Sequence, residues 1–179
     1  MLPDDLVERL KNIRLIVLDV DGVLTDGRII YAGSSIESKE FHVQDGFGIT
    51  LGRQGGLKFG VITGRVSEAV KKRVTELKFD FYESGHFYKR DALLSMMDSS
   101  SLGRDGVLYM GDEILDLVCK GEVNVFVAPA NGVTRVKQEA DWVTQRVGGD
   151  AAVREVIDAV LEAQGLLRST QDFFISPRS

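Results

Sequence analysis

At 179 residues, 44% hydrophobic and 27% charged, the chain has the length and composition of one soluble domain with a substantial core. Its net charge of −5, with Lys and Arg scattered, leaves no basic footprint for nucleic acid. No stretch reaches the about 20 apolar residues of a membrane span, the N-terminus lacks the pattern of a signal peptide, and a single cysteine, Cys119, excludes an internal disulfide framework and suits a reducing, cytoplasmic compartment.

Taken in order, the pattern predicts a short amphipathic helix over 4–11, with Leu6, Val7 and Leu10 on one face. The unbroken run Leu15, Ile16, Val17, Leu18 is that of a strand buried on both faces. Asp19 and Asp21 follow two residues apart, and if the strand continues they point to one side. Two carboxylates about 4 Å apart in an effective dielectric of about 20 repel by roughly 4 kcal/mol. The pair therefore needs a cation, a shared proton or strong hydrogen bonds, unless it is only a solvated acidic turn. Gly22 lets the chain turn there and brings backbone N–H groups close.

Two short strand-like runs around Gly33, Ser34 and Ser35 make a β-hairpin over about 28–41. A helix is expected over 45–54, closed by Gly55 and Gly56. The second strand, 58–62, ends at Thr63, Gly64 and Arg65, and Ser67 is placed to cap the next helix. A brief strand over 79–82 and a loop over 83–88 lead to a helix starting near Lys89. Strands follow at 106–110 and 123–127, separated by Gly111, Asp112, Glu113 and a helix over 114–120. A helix opening at Asn131 or Thr134, an edge strand at 141–143 and a last helix over 151–164 complete the pattern. The alternation predicts one α/β domain: a parallel sheet flanked by helices, with ligands at the carboxyl ends of its strands. A flexible tail is expected over about 166–179, oddly apolar at Phe173, Phe174 and Ile175.

The polar residues of interest stand at those strand ends: Asp19 and Asp21 after the first strand, Thr63 after the second, Asp112 after the fourth, with Lys89 near the third. Asp116, four residues after Asp112, faces the same side of the following helix, and three or more acids around one Lys and one Thr suit Mg²⁺ held by oxygens together with a phosphate. In such a set Asp19 can attack phosphorus as a nucleophile and Asp21 can move protons to the leaving oxygen and from water. Thr63, Lys89 and the backbone N–H groups of Gly64 and Arg65, at a helix start, can offset charge on the transferring phosphoryl group.

These residues, in this order, resemble the four motifs of the haloacid dehalogenase (HAD) superfamily of phosphohydrolases. The longer strings 19–27, 41–49, 62–65, 148–156 and 163–165 resemble 3-deoxy-D-manno-octulosonate 8-phosphate (KDO8P) phosphatases, and the likeness runs from about Ile13 to Gly165. The resemblance implies a HAD-like Rossmannoid fold with the hairpin in place of a cap domain, and Mg²⁺-dependent hydrolysis of KDO8P in lipopolysaccharide biosynthesis. By the same resemblance Asp19 is the nucleophile and Asp21 the acid/base. Mg²⁺ is bound by Asp19, the Asp21 carbonyl and Asp112. Thr63 and Lys89 hold the phosphate, Gly22, Thr63, Gly64, Arg65 and Lys89 bind the substrate, and the protein is a homotetramer with sites shared between subunits.

Glu113 departs from the resemblance where a second Asp is common, as does Asp150 where a basic residue often follows the two glycines. Other readings are a phosphatase for another nonulosonic acid phosphate, or a HAD-fold binding subunit without turnover. A phospho-accepting signalling domain is opposed by motif order, since an acid comes last at Asp112. His42 and His86 are expected at the rim of the pocket.

Overall fold

The computed structural model describes residues 2–32 and 36–176. Helix α1 (Asp4–Leu10) leads into β1 (Leu15–Leu18), whose four residues are all buried. The strands β4 (Lys58–Thr63), β5 (Phe81–Ser84), β6 (Val107–Met110), β7 (Val125–Ala128) and β8 (Trp142–Val143) join it in one six-stranded sheet of order β5-β4-β1-β6-β7-β8. Every pairing is parallel. The expected sheet is therefore present, with β1 at its centre.

Side-chain alternation along β1 builds a core on each face. Ile16 and Leu18 pack with α2 (Val43–Gln54) and α6 (Ala152–Ala163), while Leu15 and Val17 face α4 (Arg90–Ser100). Helices α3 (Glu68–Glu76) and α5 (Thr134–Glu139) complete the layers. Because β4 lies on one side of β1 and β6 on the other, strand order reverses beside β1, and a crevice opens at its carboxyl end. That is where Asp19 emerges.

Local details differ from the sequence pattern. Ser67 occupies the position before α3 but makes no side-chain capping bond. Helix α2 begins at Val43, with the His42 ring accepting from the Gln44 amide at 3.3 Å. The helix expected over 114–120 is a 3₁₀ helix, Ile114–Glu122. Within the stretch 166–179, expected as a flexible tail, Leu167–Ile175 form a helix, α7, and Leu166, Leu167 and Phe174 pack against the main core, while 177–179 lie outside the described residues. The hairpin is a separate two-stranded antiparallel sheet, β2 (Ile30–Ala32) and β3 (Ile36–Ser38), with its tip, 33–35, outside the described residues. Among the described residues no helix is long and apolar enough to cross a membrane.

Candidate active site

Strand β1 stops at Leu18, and the Asp19 amide makes one more ladder bond, to the Met110 carbonyl at 3.0 Å. The chain then turns sharply. The amides of Val23, Leu24 and Thr25 reach the Val20 carbonyl at 3.2, 2.9 and 3.0 Å, and Gly22 takes φ +86°. A side chain at Gly22 would also fail on space, since its Cβ would lie 2.1 Å from Asp112 Oδ2. The strand does not continue through Asp21, so strand alternation does not set the direction of the two acids, although both line one cavity. Asp19 faces Lys89, whereas the Asp21 carboxylate pairs with Lys39, just beyond β3.

A loop from the other end of the chain packs onto the turn. The Gly148 Cα touches the Gly22 carbonyl so closely that a Cβ there would sit 1.8 Å from that oxygen. Asn131 bridges the two segments, donating from Nδ2 to the Gly22 carbonyl at 2.9 Å and accepting from the Gly148 amide at 2.6 Å. The Gly149 amide adds a bond to the Val23 carbonyl at 3.0 Å. The two glycines are therefore a packing requirement of the acidic turn.

Lys89, the residue before α4, is buried, with Nζ 2.9 Å from Asp19 Oδ2 and 2.6 Å from Asp116 Oδ1. Asp116 is fully buried and saturated: Oδ1 also accepts from the Tyr109 hydroxyl at 2.8 Å, and Oδ2 from the amides of Asp112 and Glu113 at 3.1 and 3.0 Å. It thereby shapes the loop after β6 that presents Asp112. One oxygen from each of Asp19, Asp112 and Asp116 lies within 4.8 Å of the others.

Three carboxylates share one ammonium here, and the imbalance shows in their protonation. Burial, then the charge of Asp116, pushes the Asp19 carboxyl up to about 7 against the pull of Lys89. Burial, then Asp19 and Asp116, pushes Asp112 up to about 7 as well. For Lys89, burial works to lower its pKa, but Asp19 and Asp116 outweigh it and the net direction is upward. A compact set of hard oxygen donors carrying excess negative charge fits a hard divalent cation such as Mg²⁺.

The cavity above this cluster measures about 290 Å³, and Asp19, Asp21, Thr63, Gly64, Arg65, Lys89 and Asp112 all line it. Gly22 lies directly behind Asp112. Thr63 ends β4, its Oγ1 accepting from the Arg65 amide at 3.3 Å. The Arg65 guanidinium is held at 2.5 Å by Glu37 of the hairpin. His86 also lines the cavity, paired with Glu83 at 3.0 Å. The sequence residues thus converge, with the cluster of carboxylates made by Asp19, Asp112 and Asp116 while the Asp21 carboxylate faces the hairpin.

No protein-family model matches the chain. It is 36% identical over 163 residues to the KDO8P phosphatase KdsC of Escherichia coli K12, an alignment spanning 91% of this chain and 87% of that protein. The chain belongs to the KDO8P phosphatase family. A family structure from Moraxella catarrhalis, in complex with magnesium ion, phosphate ion and KDO, superposes with a TM-score of 0.92 at 33% identity, covering 96% of this chain and 98% of that one. A HAD-superfamily (subfamily III A) hydrolase structure from Legionella pneumophila superposes with a TM-score of 0.93 at 35% identity, covering 96% and 94%. The fold is accordingly the α/β fold of the HAD superfamily.

Within the KDO8P phosphatase family the two departures now have surroundings. Glu113 turns its carboxylate onto its own 3₁₀ helix, accepting from the Ile114 amide at 2.7 Å, so the extra methylene does not crowd the acidic group. Asp150 lies on the surface, its Oδ1 3.6 Å from His42 Nε2. Sequence reasoning missed Lys39, Tyr109 and the bridging role of Asn131. Only the Asn131 position carried a signal, as a polar residue just after a strand end.

Proposed function

We propose that this chain is a Mg²⁺-dependent phosphomonoesterase that hydrolyses KDO8P to KDO and inorganic phosphate through an aspartyl-phosphate, in lipopolysaccharide biosynthesis. The observation that carries the reading is the convergence of Asp19, Thr63, Lys89 and Asp112 on one cavity in a member of this family. The Moraxella complex with magnesium, phosphate and KDO supports the metal and the substrate class.

In this mechanism Asp19, held by the Val20 amide at 2.7 Å and by Lys89, attacks phosphorus in line with the departing sugar oxygen. Asp21 gives a proton to that oxygen, then takes one from the water that cleaves the aspartyl-phosphate. The Thr63 hydroxyl, the Gly64 and Arg65 amides and the Lys89 ammonium bind the phosphoryl oxygens and offset the charge that builds there. Asp19, the Asp21 carbonyl and Asp112 would hold the Mg²⁺, which when bound neutralises the carboxylates and polarises the phosphoryl group. Gly22 lends backbone to the phosphate and Arg65 supplies a positive charge for the sugar acid.

The whole chain serves as one catalytic domain, and the hairpin replaces a cap. Ile30 and Tyr31, and Ile29 just before them, are exposed, Tyr31 by 72%, on a two-stranded sheet that pairs with no other strand among the described residues. Such a ribbon is marginal alone, which supports burial of the hairpins in a homotetramer with shared sites. The buried, unpaired thiol of Cys119 accords with a cytoplasmic enzyme. A second reading, a different nonulosonic acid phosphate as substrate, is favoured by Asp150, an acid where a carboxylate-binding cation is common in the family.

Phosphate release measured over KDO8P, other nonulosonic acid phosphates and simple sugar phosphates, with Mg²⁺ and with EDTA, tests the proposal. Preferred KDO8P turnover that EDTA stops is the expected result. Preference for another sugar acid would establish the second reading, and no release from any substrate would leave a binding subunit.

A further inference from the structure

The Lys39 side chain has no exposed surface, which is unusual for an ammonium on a chain segment leaving a small hairpin. Its charge is met by two carboxylates: Asp21, in direct contact, and Glu37, with Oε1 3.2 Å away. Glu37 in turn holds Arg65 through Oε2 at 2.5 Å. The result is a line of alternating charge, Asp21–Lys39–Glu37–Arg65, two cations and two anions. It begins at the acidic turn, runs through the hairpin and ends at the residue after Gly64.

Two features make this line more than a surface ion-pair network. First, Asp21 lines the same cavity as Asp19 and Asp112 but stands outside the close group that Asp19, Asp112 and Asp116 form, and Lys39 is its ion-pair partner. Without a partner there, a carboxylate on a turn would sample several rotamers, among them those nearer the acidic cluster or a bound cation. Secondly, Asp21 and Arg65 both line the cavity, so one hairpin fixes side chains at two of its walls. A proton donor must stand within hydrogen-bond reach of one particular oxygen, and misplacement by about 1 Å can cost about a hundredfold in rate.

We propose that Lys39 is a positioning residue for the phosphatase reaction, a hairpin-borne ammonium that fixes the Asp21 carboxylate for proton transfer and, through Glu37, sets the reach of Arg65. The inference rests on the proposed role of Asp21 as acid/base. It gives the hairpin a task inside its own subunit, separate from any assembly of subunits.

The test is a double-mutant cycle with KDO8P and Mg²⁺, joined to amide hydrogen exchange on the hairpin strands Ile30–Ala32 and Ile36–Ser38. Lys39→Met should lower kcat about tenfold or more and leave KM within about twofold, because the group acts through Asp21. Lys39→Arg should restore most of the rate. Asp21→Ala/Lys39→Met should be no slower than Asp21→Ala alone. If Lys39→Met fails to fold, Lys39→Gln, which keeps a polar end without the charge, carries the same comparison. Unchanged kcat, a raised KM at unchanged kcat, or a double variant slower than Asp21→Ala by the full Lys39→Met factor would each overturn the proposal. Should the wild-type protein hydrolyse no sugar acid phosphate, the function falls and exchange alone judges the contact. Lys39→Met and Asp21→Ala should then each speed hairpin exchange, with no further gain in the pair, and unchanged exchange in Lys39→Met would refute it.

Discussion

Lys89→Met is the most direct test of how the acidic cluster is held. It removes the only ammonium within reach of Asp19 and Asp116 among the described residues and keeps a side chain of similar length. Stripping one partner from a buried ion pair costs about 3–5 kcal/mol. Two features limit the loss here. Asp116 keeps the Tyr109 hydroxyl and two backbone amides as donors. Asp19, already raised to about 7 by burial and Asp116, rises further without Lys89 and takes up a proton near neutrality instead of remaining an unpaired charge. The expected loss is therefore at the lower end, about 3 kcal/mol, or about 6–12 °C in Tm for a chain of this size.

The sign with pH follows from Asp19. Below about 7 both proteins carry Asp19 protonated and the variant lacks only the Asp116 pairing. Above it, only the wild-type protein retains a paired Asp19 carboxylate, so the deficit grows as pH rises. Calorimetry in EDTA at pH 6 and pH 8 measures both quantities. A variant within about 2 °C of the wild-type protein at pH 8, or a deficit larger at pH 6, would refute this account of the cluster.

Metal-free protein should itself lose stability as pH rises. Asp19 and Asp112 have folded pKa values of about 7, above the roughly 4 of an unfolded Asp, so the folded chain binds more protons across that window. Tm in EDTA should fall from about pH 4 to about pH 7 on this account, and added Mg²⁺ should flatten the slope; a rising Tm would contradict the shifts. Asn131→Ala leaves the Gly22 carbonyl and the Gly148 amide without their partner and should cost about 1–3 kcal/mol in urea unfolding while lowering kcat. Gly148→Ala, with its Cβ 1.8 Å from the Gly22 carbonyl, must displace the acidic turn; native stability and turnover together would show that the two loops can part freely. Light scattering of the wild-type protein should give a tetramer, and Tyr31→Asp on the exposed hairpin face should shift it to smaller species.

What the sequence by itself determined was the order of strands and helices and the residues standing at strand ends. Buried parallel strands need unbroken apolar runs, so Leu15 to Leu18 and Val125 to Ala128 announce themselves without reference to any neighbour. Asp19, Thr63 and Asp112 were legible because each ends such a run or stands within two residues of its end. The sense of α7 was not legible, since Phe174 and Leu167 find their partners on a core built from residues far away in the chain.

Tertiary structure alone decided how the acids divide. Period-two alternation holds only while a strand lasts, and β1 ends at Leu18, three residues before Asp21. Its carboxylate pairs with Lys39, eighteen residues on, while Asp116, which its spacing from Asp112 already placed on the same side, is locked into the cluster by Lys89 and Tyr109. Electrostatic partners are chosen by distance in space. A chain read residue by residue carries the charges of Asp19, Asp21, Asp112 and Asp116 but not the separations that decide which of them share an ammonium.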